Sequence, residues 1–310
     1  MKKQIYLDYN ATVPLLKEVK KSLIDSMDIG PLNASSIHYF GRKGKYIIDV
    51  ARENISELIN TNKNNIIFTG SATEAINMLF RNFDTIVVSS IEHLAVLSSS
   101  KSDHIIPVNQ NGIVDLNVLE LYLKKLIKTN KKILVSVMWV NNETGVIQPI
   151  KDVVEIAKKY GCLVHCDAAQ ALGKVKINLE EIELDFLTLS GHKIGAPTGI
   201  GALVYNNDIN LTPLILGGGQ EKGMRAGTEN ILGIKGFGDA AKFVNLTENN
   251  CSKVKFLRDY FQKKIKILSP DTIIFGEKAN RVSNTLLMAH PNISGDLALM
   301  KLDLESFSVS

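Results

Sequence analysis

Short runs of apolar and β-branched residues alternate along the chain with longer amphipathic stretches. The short runs predict strands at 65–69, 85–90, 104–108, 132–140, 162–168 and 185–190. Their continuous apolar character is typical of strands buried on both faces of a parallel sheet. The amphipathic stretches predict helices at about 41–60, 72–81, 115–128 and 149–160. This alternation indicates an α/β fold with a mostly parallel sheet.

Two of the predicted helices carry start signals. The first follows the small polar residues NASS at 33–36, which can cap a helix, and the last follows Pro149.

The pattern changes after about residue 217, where the glycine-rich stretch GGGQEKGMRAGTEN predicts a loop. Helical patterns follow at about 229–244, 251–268 and 294–301, with the short apolar runs TIIFG, SNTLLMA and SFSVS among them. We therefore predict a large domain over residues 1–230 and an incomplete small α+β domain over residues 231–310. We expect the N-terminal segment to pack toward the small domain.

Composition narrows the class of protein. The chain has 310 residues, 45% of them hydrophobic, which is enough for a sizeable core. The net charge of +4 comes from scattered basic residues, so we predict a solvated surface and no nucleic-acid partner. No apolar run is long enough to cross a membrane, and the start MKKQIYLDYN lacks the apolar region of a secretory signal. Three cysteines form no disulfide framework, which favours a cytoplasmic location.

Lys193 is the first candidate for chemistry, because it follows an apolar run and stands in the crowded stretch SGHKIGAPTG. A lysine at a strand end is usually a surface residue. Ser190 and His192 change that expectation, since these groups and Lys193 together can bind an anion such as phosphate. A lysine in a partly dry site can also form a Schiff base with an aldehyde.

An aldehyde cofactor that carries a phosphate is pyridoxal phosphate, which needs a carboxylate to keep its ring nitrogen protonated. Asp167, in LVHCDAAQ, ends a predicted strand at the edge where open α/β sheets place their sites. Gln170 follows three residues later and can reach the ring's phenolic oxygen. The alternative to a role at the ring nitrogen is that Asp167 caps a helix or a turn.

A phosphate also needs backbone donors. The stretch IIFTGSATEAINML predicts a strand, a turn of small residues and then a helix, whose free N–H groups suit a phosphate. An ordinary capped helix remains the alternative. The chain contains neither a GxxxxGK[ST] loop nor a G-x-G-x-x-G that opens a helix, which weakens a nucleotide-binding interpretation.

Eight stretches in order resemble the cysteine desulfurase family of class V aminotransferase-fold enzymes, which act with pyridoxal phosphate. They are IYLDYNATVPL, NASSIHYFGRKGK, IIFTGSATEAIN, IEHLAVL, VSVMWVNNETGVIQPI, VHCDAAQALGKVKI, LTLSGHKIGAPTGIGALVY and GGGQEKGMRAGTEN. The resemblance implies the fold type I of such transferases, the conversion of L-cysteine to alanine, and sulfur transfer for iron–sulfur clusters or tRNA thiolation. It also implies a homodimer and a sulfur-acceptor or scaffold protein as partner.

The resemblance also implies roles for single residues. Lys193 would be the Schiff-base lysine, Asp167 would pair with the ring nitrogen and Gln170 with the phenolic oxygen. His93 would stack on the ring and shuttle protons. The other cofactor-binding residues implied are Ala72, Thr73, Ser190 and His192 at the phosphate, Asn142 near the substrate carboxylate and the ring oxygen, and Thr228, which reaches the partner subunit's phosphate. No metal is implied.

The chain departs from the family at its C-terminal end. Family members continue into a serine- and glycine-rich loop with the nucleophilic cysteine and, further on, a substrate-binding arginine. This sequence stops at Ser310, before both. Cys166 should point away from the site by strand alternation, while Cys162 begins that strand at its far end and Cys251 opens a helix. CLVHC is also a poor metal site.

Two alternatives to an active desulfurase therefore stay open. One is an inactive truncated copy or a pseudoenzyme. The other is a different class V lyase or aminotransferase that needs no cysteine.

Overall fold

The computed structural model describes residues 3–129, 131–206, 208–244 and 248–310. The helices in this part of the chain are α1 Lys17–Met27, α2 Tyr39–Ile59, α3 Ala72–Phe80, α4 Leu94–Ser100, α5 Leu116–Leu126, α6 Ile150–Lys159, α7 Ile231–Phe243, α8 Glu248–Leu268 and α9 Gly295–Leu304. The strands are β1 Ile5–Tyr6, β2 Ile66–Thr69, β3 Thr85–Ser89, β4 His104–Ile106, β5 Ile133–Ser136, β6 Leu163–Asp167, β7 Phe186–Ser190, β8 Gly201–Tyr205, β9 Ile273–Ile274, β10 Met288–Ala289 and β11 Phe307–Ser308.

Seven strands form the central sheet in the order β2-β8-β7-β6-β5-β3-β4. The pairs β3–β4, β3–β5, β5–β6 and β6–β7 are parallel, whereas β8 runs antiparallel to both β2 and β7. The mostly parallel α/β fold predicted from the alternation is therefore confirmed. The six predicted strands correspond to β2–β7, and β8 was missed because it directly follows a glycine-rich turn.

Helices cover both faces of the sheet and bury two apolar layers. One layer joins α1, α2, α5, α6 and α7, with Ile55, Leu119 and Phe237 fully buried in it. The other lies under α3 and α4 and includes Leu79 and Val96. This two-sided burial explains why the strands are apolar at successive positions.

The start of α2 differs from the expectation. The capping residue is His38, whose Nδ1 accepts a hydrogen bond from the Gly41 N–H at 3.3 Å, and not one of residues 33–36. Residues 33–36 instead lie against the first turn of α2. A Cβ on Gly41 would lie 1.9 Å from the Ser36 carbonyl oxygen, so the chain passes too closely there for any other residue.

The C-terminal part forms small pairings outside the central sheet. β10 pairs antiparallel with β9, and β11 pairs parallel with β1. α7 shares the buried layer of α1 and α2. The division of the chain after residue 230 stays a prediction. In the described part of the chain, no helix combines the length and apolar character needed to cross a membrane.

Candidate active site

The candidate residues gather at the carboxyl-terminal ends of the parallel strands. Asp167 ends β6, and Ser190 ends β7, its neighbour in the sheet. His93 follows β3, and Ala72 follows β2 at the start of α3. This is the edge at which open α/β sheets place their binding sites.

The turn from β2 into α3 has the features of an anion-binding site. Ser71 caps the helix by accepting a hydrogen bond from the Glu74 N–H at 3.1 Å. The N–H groups of Ala72 and Thr73 belong to the first turn, so they have no acceptor within the helix. They are free to bind an anion.

The sheet brings Ser190 to this helix start. Ser190 pairs with Gly201 on β8, and Gly201 pairs with Thr69 on β2. A Cβ on Gly201 would lie 2.6 Å from the Ser71 carbonyl carbon and 2.7 Å from the Ala72 nitrogen. Only glycine permits this approach, which sets the end of β7 beside the first N–H groups of α3.

Lys193 lies on the short helical turn Gly191–Ile194 that follows β7. Its Nζ donates to the backbone oxygens of Asn10 at 2.5 Å and Ala11 at 2.9 Å. Burial lowers the pKa of Lys193, against the charges of Asp167 and Asp8, which raise it. A lysine with these surroundings reaches its neutral, nucleophilic form more easily than an exposed one.

Asp167 is the buried carboxylate of the site. One of its oxygens accepts the Ala169 N–H at 2.9 Å. Burial raises the pKa of Asp167, while the Ala169 hydrogen bond and the charges of His93 and Lys193 lower it. His93 and Lys193 are thus close enough to act on this carboxylate, and the fold has brought the three predicted residues together.

His93 caps α4 and leaves its ring open to solvent. Its Nδ1 accepts the Ala95 N–H at 3.1 Å, so the proton of the neutral ring is on Nε2. The preceding residue, Glu92, is buried. Glu92 Oε1 accepts from the Met138 N–H at 2.7 Å and from the Ser89 hydroxyl, and burial raises the pKa of Glu92 to about 8.

His192 and Thr228 have different settings. The Nδ1 of His192 is 3.1 Å from Thr12 Oγ1, and burial together with the Lys193 charge lowers the pKa of His192. Thr228 is exposed on the loop before α7 and lines a cavity of about 250 Å³ together with Thr69 and Gly70. Its predicted contact with a partner subunit stays a prediction.

Asn10 connects the site to the rest of the molecule, and sequence reasoning assigned it no role. Its backbone oxygen accepts from Lys193 and, at 2.8 Å, from Gln170 Nε2. Its side-chain Nδ2 donates to the Asn142 backbone oxygen at 2.9 Å and to Thr285 Oγ1 at 3.0 Å. Asn10 stands in the quoted stretch IYLDYNATVPL, but local patterning offers no signal that its carbonyl meets Lys193.

The cysteines of the sheet offer no thiolate. Cys166 is fully buried in β6, and burial raises its pKa well above that of a free thiol. Cys162, just before β6, is buried as well, and burial raises its pKa too. Cys251 is partly exposed on the first turn of α8.

Comparisons with known proteins agree with this geometry. The family model described as "Aminotransferase class-V" matches residues 5–310. The cysteine desulfurase IscS of Dictyoglomus turgidum is 36% identical over 326 residues, covering 100% of this chain and 82% of that protein. The IscS of Ehrlichia chaffeensis is 36% identical over 318 residues, covering 96% of this chain and 76% of that protein.

This chain belongs to the cysteine desulfurase family of class V aminotransferases. A solved NifS-like protein from Rickettsia africae superimposes on it with a TM-score of 0.93 and 38% identity, covering 99% of this chain and 87% of that chain. A second NifS-like structure gives a TM-score of 0.90 at 32% identity. Enzymes of this family depend on pyridoxal phosphate.

The residues of this family member fit that cofactor. The Lys193 amine is bonded to backbone carbonyls and has no carboxylate within 4 Å among the described residues. Asp167 provides a buried carboxylate for a ring nitrogen, and the first turn of α3 provides N–H donors for a phosphate. The cofactor's aldehyde requires an amine, its pyridine nitrogen requires a buried carboxylate, and its phosphate requires an anion-binding site. Lys193, Asp167 and the first turn of α3 provide these three groups in turn.

Proposed function

We propose that this chain binds pyridoxal phosphate at Lys193 and acts on L-cysteine, releasing alanine and passing sulfur on for iron–sulfur clusters or tRNA thiolation. The convergence of Lys193 and His93 on Asp167, at the same sheet edge as the α3 N-terminus, supports this most strongly. The family membership supports the substrate class, because relatives at 36% identity carry the name cysteine desulfurase.

Each residue then has a definite task. Lys193 would hold the cofactor covalently, Asp167 would hold a proton at the ring nitrogen, and the Gln170 amide would donate to the phenolic oxygen. The backbone N–H groups of Ala72 and Thr73 would bind the phosphate. When bound, pyridoxal phosphate supplies an electron sink for charge that develops beside the substrate nitrogen.

The remaining candidates act around this centre. Ser190 and His192 would add donors to the phosphate, and His93 would carry a proton on Nε2 at the open face of the ring. Asn142 would lie near the substrate carboxylate. A neutral His192 is a hydrogen-bond donor at Nε2 when its Nδ1 accepts from the Thr12 hydroxyl.

Sulfur transfer also needs a thiolate, and Cys162 and Cys166 do not supply one, since burial raises the pKa of both thiols. An external thiol can accept the sulfur. Cysteine then loses its sulfur and becomes alanine, and the thiol becomes a persulfide. We therefore expect an added thiol or an acceptor protein to increase the formation of alanine.

We also propose that the chain is cytoplasmic and works as a homodimer. Leu94 is 71% exposed directly after His93, and Leu216 is 78% exposed where the glycine-rich loop with Thr228 begins. Large apolar side chains this exposed beside a site are typical of a covered surface. Light scattering of the purified protein would give the mass of a dimer if this is right.

The first experiment tests cofactor binding. Pyridoxal phosphate is added to the purified protein, the mixture is reduced with borohydride, and peptides are analysed by mass spectrometry. We expect the adduct on Lys193 and its loss in Lys193→Ala. An exposed lysine, changed in Lys176→Ala, serves as the control. Absence of an adduct on wild-type Lys193 would refute the proposal.

The second experiment tests the reaction. Alanine and sulfide are measured after incubation with L-cysteine, with and without dithiothreitol. Thiol-dependent alanine formation supports a desulfurase. Cofactor binding without alanine would favour the second candidate, a family member that binds pyridoxal phosphate but has no sulfur transfer of its own.

A further inference from the structure

Lys174 stands behind the candidate site in the turn that follows β6, and its side chain is partly buried. Its Nζ donates to Gln170 Oε1 and, at 2.9 Å, to Asn10 Oδ1. In the described part of the chain no carboxylate lies within 4 Å of this ammonium. The Lys174 amine is thus held by two neutral amides, an environment in which its charged form is costly.

An ammonium group has only donors, so it decides which way a neighbouring amide points. Because Gln170 turns its oxygen to Lys174, its NH₂ group faces the Asn10 backbone oxygen at 2.8 Å. Because Asn10 turns its Oδ1 to Lys174, its NH₂ group faces Asn142 and Thr285. One amine therefore supports the orientation of both amides, together with the backbone oxygens of Asn10 and Asn142 and, for Asn10 Oδ1, with Asn284 Nδ2 at 3.2 Å.

Both residues are linked to Lys193 through one backbone oxygen. The Asn10 backbone oxygen accepts from Gln170 Nε2 and from Lys193 Nζ, so the two lysines are separated by one shared residue. The positive charge of Lys193 adds to burial in lowering the pKa of Lys174, to about 7. Replacing Lys174 by an apolar residue would remove the donor that Gln170 Oε1 and Asn10 Oδ1 accept from, leaving the backbone oxygens of Asn10 and Asn142 to hold the two NH₂ groups.

We propose that Lys174 is a positioning residue whose ammonium orients the Gln170 and Asn10 amides, so that the Gln170 NH₂ group faces Lys193 and the cofactor's phenolic oxygen. The role toward the cofactor rests on the proposed function. The orientation of the amides belongs to the protein alone and can be measured without cofactor.

The decisive experiment uses the cofactor-free protein. The side-chain amide signals of Gln170 and Asn10 are recorded by ¹⁵N NMR from about pH 6 to 8.5 and assigned with Gln170→Glu and Asn10→Asp. We expect both signals to shift with the titration of Lys174, and to lose this shift in Lys174→Met. Lys174→Arg keeps a cation, so it should keep the low-pH signal positions, whereas Lys176→Met on the neighbouring exposed lysine should resemble wild type.

A second readout uses the cofactor. We expect Lys174→Met to bind pyridoxal phosphate about tenfold more weakly, the effect of losing one oriented hydrogen bond, with substantial rescue in Lys174→Arg. Amide signals that titrate equally in wild type and Lys174→Met would overturn the inference. So would amide signals in Lys174→Arg that depart from the low-pH positions of the wild type, a result that remains available if Lys174→Met fails to fold.

The two proposals fail in different ways. A protein that binds no pyridoxal phosphate but shows the Lys174-dependent amide titration refutes the proposed function and keeps the positioning role. A protein that binds the cofactor equally well in wild type and Lys174→Met, with unchanged amide signals, refutes the positioning role alone.

Discussion

Glu92 allows a sharp test of how burial controls charge beside the site. Its side chain is buried, Oε1 accepts from Met138 and Ser89, and Oε2 has no hydrogen-bond partner. Burial is the largest cause that raises the pKa of Glu92, from 4.5 to about 8, against the two hydrogen bonds that lower it. The carboxyl group is therefore neutral in the folded protein at pH 7, and the change to examine is Glu92→Gln.

The sign of the pH effect follows from linkage. Between pH 4.5 and about 8 the folded protein keeps the Glu92 proton while the unfolded chain has lost it. The folded state binds more protons in this range, so its stability falls as pH rises, by roughly 1 kcal/mol per pH unit. The full range corresponds to about 5 kcal/mol at most, since relaxation around a buried charge reduces the effect.

Glutamine keeps the acceptor at Oε1 and does not titrate. We therefore expect the free energy of unfolding of Glu92→Gln, relative to wild type, to rise steadily from about pH 5 to 8 by several kcal/mol. Taking the difference between the proteins removes the opposing contribution of His165, whose pKa burial lowers to about 3.

The assay is urea unfolding followed by the fluorescence of Trp139, the only tryptophan and the residue after Met138. The matched control is Glu57→Gln, which makes the same substitution at an exposed position of α2. A difference between Glu92→Gln and wild type that stays constant from about pH 5 to 8 would refute the burial argument.

Three further predictions concern stability. Arg52→Met should cost about 3–5 kcal/mol in urea unfolding, because it leaves Glu221 buried without the guanidinium that is 2.6 Å away; an unchanged midpoint would contradict this. Phe237→Ala should cost about 3–5 kcal/mol by the same assay, since Phe237 on α7 is fully buried, and a loss below 1 kcal/mol would mean that the neighbouring side chains fill the cavity. Ser71→Ala should cost about 1 kcal/mol by removing the cap on the Glu74 N–H, with Ser71→Asp restoring most of the loss; equal stabilities of all three proteins would rule out the cap.

Much of the fold and the core of the site could be predicted from local sequence. Apolar runs of strand length with amphipathic stretches between them specify a parallel sheet covered on both faces, because each segment must bury its own apolar residues. Lys193, Asp167 and the turn before α3 were found because each stands directly after such a run. Strands of a parallel sheet end at one edge, so the chemistry at those ends converges.

Other features depend on residues far apart in the chain, and only the tertiary structure decides them. The Asn10 carbonyl meets Lys193 across 183 positions, and the start of α2 is set by the chain that folds over Gly41. The neutral state of Glu92 and the depressed pKa of Lys174 come from burial by distant segments and, for Lys174, from the charge of Lys193. Desolvation and charge act through space, so no local pattern of residues contains them.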